Sequence, residues 1–163
     1  MLPETLVADA ASLLALLRSK TLKLATAESC TGGLIAAVLT DVPGSSDVFE
    51  RGFVTYSNAA KSEAIGVDPA IVTKHGAVSE QTARAMADGA LAHSAADIAV
   101  AVTGVAGPGG GSAEKPVGLV HIAAARKARP TEHKRCDFGD LGRSGIREAT
   151  VLAAFAMVRK IGS

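Results

Sequence analysis

Tryptophan is absent from this chain of 163 residues, and one Tyr and four Phe are its only aromatics. The core therefore has to be built from Ala, Val, Leu and Ile. Charge of one sign is also lacking. Lys plus Arg is 17 and Asp plus Glu is 16, a net of +1, which leaves no electrostatic footprint for nucleic acid or for an anionic membrane surface. The two cysteines, Cys30 and Cys136, form no Cys-x-x-Cys and argue against a disulfide scaffold. No apolar run approaches the ~18 residues of a membrane span. Residues 1–9 carry Glu4 and Asp9 and lack the basic start of a signal peptide, so a cytoplasmic protein is expected. His-Glu-x-x-His and paired cysteines are missing, so no metal is expected. What is present is 48% hydrophobic and 20% charged residues, which excludes disorder. A single domain over 1–163 is expected, long enough to bury roughly 70% of the unfolded chain's surface.

Apolar spacing predicts a helix over 3–17, with Pro3 at its start, and a strand over 21–27. A tight polar turn over 28–33 leads to a helix over 34–39 that stops near Pro43-Gly44. A second strand is expected over 51–57 and one or two helical turns over 58–65, followed by a loop-rich stretch over 66–77 in which Asp68-Pro69 signals a turn. Ser79 with Glu80 opens a helix to about residue 95. The continuous apolar run 97–103 reads as a strand covered on both faces, and 104–116 as a long glycine loop. Strands over 117–125 and 133–138 lie close enough to form a hairpin, and 142–161 closes the chain as an amphipathic helix. The alternation predicts an α/β protein, a three-layer α/β/α sandwich around a mixed, mostly parallel sheet with one antiparallel member.

Ligands of open α/β sheets bind beyond the strands' carboxyl ends, and three polar clusters fall there: Glu28 to Thr31, Tyr56 to Lys61, and Thr103-Gly104 with the glycine loop. A fourth, Gly142-Arg143-Ser144, precedes the last helix. Ser29 sits between a strand and a Gly-Gly helix start, where turn amides can stabilise an oxyanion or bind phosphate; the same position also suits a helix cap. Cys30 reads as a buried small residue. His75, His93, His121 and His133 are scattered, none at a strand's carboxyl end, so a Ser-His-Asp triad has little support. Lys61 is the better base, provided burial lowers its pKa from ~10.4; in the open it is a surface lysine. Tyr56 either relays the proton or packs in the core. Arg143 suits an anion beside helix amides, a role Arg147 or Lys115 can also take.

Familiar signatures are missing. No Gly-x-Gly-x-x-Gly follows the first strand, so no nicotinamide cofactor is expected, and the glycine loop lacks the Lys-Ser/Thr ending of a P-loop. Ser112-Ala113-Glu114-Lys115 matches Ser-x-x-Lys only in form, because it lies in that loop.

Ala27-Glu28-Ser29-Cys30-Thr31-Gly32-Gly33, the run 52–58, Lys61, Gly76-Ala77-Val78-Ser79, the run 103–108 and Pro116-Val117-Gly118 together resemble the CinA carboxy-terminal domain family over nearly the whole chain. The resemblance implies a nicotinamide-nucleotide amidohydrolase that converts nicotinamide mononucleotide (NMN) and water into nicotinate mononucleotide and ammonia without a cofactor. It implies Ser29 as nucleophile with Lys61 and Tyr56 assisting, and Glu28, Thr31, Gly32, Thr103, Gly104, Gly107 and Arg143 at the substrate. A homo-oligomer, expected as a dimer, is implied as well. The rival expectation is a catalytically silent nucleotide-binding or competence-associated partner module, which has no use for a competent Ser29–Lys61 pair.

Overall fold

The computed structural model describes residues 1–163. In chain order its elements are α1 (Glu4–Ser19), β1 (Leu24–Glu28), α2 (Leu34–Thr40), a 3-10 turn (Ser45–Asp47), β2 (Phe49–Val54), α3 (Asn58–Ile65), α4 (Pro69–His75), α5 (Glu80–Ala92), β3 (Ile98–Gly104), β4 (Leu119–Arg126), β5 (Glu132–Asp137) and α6 (Gly142–Gly162). The five strands form one sheet in the order β2-β1-β3-β4-β5. β1 pairs in parallel with β2 and β3, whereas β4 runs antiparallel to both of its neighbours. One reversed strand among five is the mixed sheet expected from the sequence.

The shortage of aromatics is met by a division of labour between the sheet's faces. Ile98, Val100 and Val102 of β3, with Val120 and Ile122 of β4, pack on α1, α2 and α6 around Phe155, the only buried aromatic. The alternate positions Ala99, Ala101, Ala123 and Ala125 face α5 through Ala83, Met86, Ala87 and Ala90. Period-two alternation here sorts large from small rather than apolar from polar, because both faces are covered. The alanine face lets α5 approach closely.

Local chemistry explains where the elements stop and start. Ser79 Oγ accepts the Thr82 amide at 3.1 Å, so α5 begins where the sequence indicates; it ends at Ala92, three residues early, where the His93 ring meets the Gly89 carbonyl at 2.8 Å. The stretch 66–77, expected as loop, contains α4. Its Asp68-Pro69 is a helix start rather than a turn: Asp68 Oδ1 accepts the Ala70 amide at 2.9 Å and Pro69 occupies the first helical turn. β2 lies nearer the N-terminus than the expected 51–57, because Ser57 is committed as the cap of α3. β4 starts at Leu119 rather than 117, after Gly118 with φ +94°.

Gly89 of α5 crosses the end of α3 so closely that a Cβ would lie 2.0 Å from the Ile65 carbonyl oxygen. Alanine gains roughly 1 kcal/mol over glycine inside a helix, but overpacking costs about 1–3 kcal/mol, and a backbone oxygen cannot swing aside. Gly89→Ala is therefore expected to lower the urea midpoint; a raised midpoint refutes this account of the contact.

Candidate active site

Side-chain alternation along β1 separates two carboxyl-end residues that are adjacent in sequence. Glu28 points to the α2 side and Ser29 to the α3 side. Glu28 is 1% exposed. Its Oε1 accepts from Thr31 Oγ1 at 2.6 Å and from the Ile35 amide at 2.8 Å, and its Oε2 accepts from the Ala36 amide at 3.0 Å. A buried carboxylate thus caps α2 from outside the helix, standing where a Ser or Asp cap would normally be. The Ser29 amide continues the ladder to Val102 O at 3.1 Å, and the Gly32 amide closes the turn on Ser29 O at 3.0 Å. The amides of Cys30, Thr31 and Gly33 make no backbone hydrogen bond. Gly32 and Gly33 adopt φ +56° and +99°, the left-handed conformation that lets this turn reverse tightly.

Across the cavity, α3 begins at the Ser57 cap, whose Oγ accepts the Ala60 amide at 3.0 Å. The first turn sends Lys61 inward. Lys61 is 1% exposed, and its Nζ lies 2.8 Å from Thr55 O and 3.1 Å from Ser29 Oγ. No carboxylate lies within ion-pair distance of it. Burial pushes the amine's pKa below the ordinary lysine value. As a neutral amine, Lys61 keeps an N–H for the Thr55 carbonyl and turns its lone pair to the Ser29 hydroxyl, which then donates. The neighbouring Cys30 thiol is pushed up to about 12, mainly by burial, and stays protonated.

A cavity of about 290 Å³ joins Ser29, Lys61 and Tyr56 to Thr103, the glycine-loop residues Gly104 and Gly107, and Arg143 at the head of α6. Tyr56 is 60% exposed at its mouth, neither a core residue nor bonded to Ser29 or Lys61. Its hydroxyl instead accepts from Arg143 Nη2 at 3.0 Å, while Arg143 Nη1 donates to Gly107 O at 2.8 Å. One guanidinium therefore links α6, the glycine loop and the exit of β2.

Three residues expected at the substrate do not line this cavity. Glu28 and Thr31 are buried in the cap of α2, and Gly32 shapes the turn with its α-carbon toward Arg147. Arg147 Nη2 donates to Thr31 O at 2.8 Å, a brace on the turn rather than a bond toward the cavity. Ala77 and Val78, expected only as part of a family motif and not at the site, form one wall. No histidine was expected at a strand's carboxyl end. His121 stands there, opposite Thr103, because β4 begins where its antiparallel neighbours β3 and β5 finish.

Fold and site together define an α/β protein with a half-buried serine on a buried lysine at the carboxyl ends of a mixed sheet. The sequence model of the CinA C-terminal domain matches residues 7–161, and the chain belongs to that family. It is 54% identical over 145 residues to a putative competence-damage inducible protein of Caldicellulosiruptor bescii, covering 89% of this chain and 35% of that protein. A CinA-like protein of Mycolicibacterium paratuberculosis is 52% identical over 143 residues, 85% of this chain and 33% of its own. The chain thus spans about a third of the length of these curated relatives. Among solved structures, the competence/damage inducible protein CihA from Agrobacterium tumefaciens superposes with TM-score 0.97 at 50% identity over 100% of this chain and 99% of that one. A CinA superfamily protein from Escherichia coli gives 0.90 at 31% identity, covering 99% and 94%.

Replacing Glu28 by Gln puts an amide nitrogen against one of three committed donors. The expected cost is about 1–3 kcal/mol, read from urea unfolding, since a stranded buried donor loses its full solvation. An unchanged midpoint removes Glu28 as the keystone of the turn.

Proposed function

We propose that this protein is a serine amidohydrolase that hydrolyses the carboxamide of nicotinamide mononucleotide, giving nicotinate mononucleotide and ammonia. The observation that carries the reading is the contact between Ser29 Oγ and a buried Lys61 Nζ that has no counter-ion. A silent binding module has no need to bury a lysine there, since that position costs stability unless the amine sheds its proton.

Lys61 takes the Ser29 proton as Oγ attacks the amide carbon. The oxyanion falls to turn amides that make no backbone hydrogen bond, that of Cys30 first, since the residue after a nucleophile commonly serves so. Lys61 then hands its proton to the departing nitrogen, the C–N bond breaks, and ammonia leaves an ester on Ser29. Water attacks that ester with Lys61 again as base, releasing the carboxylate and restoring the hydroxyl. Tyr56 acts through Arg143, holding its guanidinium at the cavity mouth. Arg143, with N–H donors beyond its two internal bonds, takes the substrate's phosphate. The reading carries a cytoplasmic homodimer with it; sedimentation measures the dimer, and Val54, Tyr56 and Leu141 are exposed apolar surface for it.

Ammonia release from a panel of pyridine nucleotides tests the reading. Wild type is expected to deamidate NMN, Ser29→Ala to lose the activity with its fold intact, and Cys30→Ala to keep it. Loss in Cys30→Ala alone assigns the wrong nucleophile. Lys61→Arg keeps a charge but no base and is expected to drop turnover by at least ~10²-fold. Because the working form is the neutral amine, turnover should rise with pH through a midpoint below the ordinary lysine value of 10.5. A profile flat over that range removes the base role.

Arg143→Ala is expected to weaken NMN strongly and nicotinamide riboside little, since only the former carries the phosphate. Salt should weaken NMN binding in wild type more than in the variant. Equal losses for both ligands put the phosphate elsewhere.

A further inference from the structure

The sheet face under α5 carries a second set of ionisable groups that the reaction above does not use. His121 Nδ1 of β4 lies 2.9 Å from His133 Nε2 of β5, with the rings stacked at 5.1 Å between centroids. His133 Nδ1 in turn lies 2.9 Å from Glu80 Oε1, in the first turn of α5. A carboxylate only accepts, so the order of protons along the chain is determined. His133 donates from Nδ1 to Glu80 and accepts at Nε2; His121 donates from Nδ1 and is left with a bare Nε2.

This chain ends at the cavity's wall. His121 is the cross-strand partner of Thr103, which lines the cavity and donates to Ala77 O at 2.8 Å. Lys115 Nζ holds His75 O at 2.8 Å, and Ser79 Oγ and Thr82 Oγ1 hold Gly76 O at 2.9 and 2.7 Å. Between those ties and Glu80 stand Ala77 and Val78, the wall itself.

We propose that Glu80, His133 and His121 are a positioning array that pins the Ala77–Val78 wall and the start of α5 to strands β4 and β5, and that acid releases it. The kinetic part of this proposal rests on the amidohydrolase reading; the rest does not. One added proton, at His121 Nε2, leaves every bond in the array intact. A second, at His133 Nε2, sets two N–H donors face to face at 2.9 Å and breaks it. The surroundings resist both. Glu80 attracts the protons, whereas Arg84 from α5, Arg135 from β5 and Lys115 from the glycine loop repel them, with Asp137 of β5 also near His121. Burial is the largest cause, and it holds His133 below the ordinary 6.5 and His121 at about 4. Both folded values lie below the unfolded one. The array's stability is therefore complete above about pH 6.5 and is lost as pH falls from there toward 4.

Nitrogen-15 NMR of histidine-labelled full-length protein reads the array directly. At about pH 7 both rings should be neutral and protonated at Nδ1, and neither should titrate near the ordinary histidine value. An Nε2–H form of either ring, or ordinary titration, overturns the proposal. Thermal unfolding provides the second arm. The wild-type midpoint should drop between about pH 7 and pH 5, and the double variant His121→Asn, His133→Asn should lose about half of that drop. An equally steep drop overturns the proposal.

Glu80 is partly exposed and its variants keep the core, so they serve if the double variant does not fold. Glu80→Ala should raise KM for NMN about three- to tenfold with kcat within about twofold, the net scale of one ordinary hydrogen bond. Glu80→Gln, whose amide oxygen still accepts from His133, should restore KM to within about twofold. A Gln variant as impaired as Ala overturns the assigned proton order. If wild type deamidates no nucleotide, the proposed function is what fails, and the NMR and unfolding results judge the array alone.

Discussion

A lysine amine withdrawn from water with no carboxylate to balance it is the constraint around which this site is built. An ammonium in such a place costs several kcal/mol after relaxation. Two oxygens, Thr55 O and Ser29 Oγ, offset part of that cost, and giving up the proton removes the rest. Both routes require the exit of β2 and the turn after β1 to stay within hydrogen-bond reach of one side chain on α3. The edge of the sheet and the first turn of a short helix are thereby tied to the same point. Under the proposed function, the burial that is costly for stability is also what lowers the pKa of the base.

Glu28 performs the complementary task on the other face of β1. Its carboxylate is as buried as Lys61, yet its oxygens accept from one hydroxyl and two amides. Alternation along the strand keeps the carboxylate and the Ser29–Lys61 contact on opposite faces although Glu28 and Ser29 are neighbours. Arg147 reaches the same turn from α6 through Thr31 O. The turn is held from the helix it starts, from the strand it leaves and from the last helix of the chain, which is how a short loop can present free amides without collapsing onto them. A loop held on three sides needs no ligand to order it.

Much of the architecture was legible from local pattern. A continuous apolar run marked β3 as covered on both faces, Ser79 sits where a cap forms, and two strands close together toward the end required a reversal in the sheet. The family was legible too, from short motifs spread along the chain in order. Asp68-Pro69 misled because the same dipeptide opens a turn or a helix, and only the Ala70 amide, returning to the Asp68 carboxylate, decides between them. His121 was passed over because the polarity of β4, not the position of the residue in the chain, puts its beginning at the working end of the sheet.

The residue types that carry the chemistry, and the strand-end positions they occupy, were determined by the sequence, because strand and helix periods act over a few residues. Which of them meet was not. Ser29 and Lys61 are 32 residues apart, Arg143 and Tyr56 87, and Arg147 and Thr31 116. Glu28 and Tyr56 show the difference most clearly: adjacent to Ser29, Glu28 turns away to cap a helix, and Tyr56, five residues before the lysine, bonds an arginine from the far end of the chain. Side-chain direction at such distances is set by how the layers pack around the sheet, which no local pattern encodes.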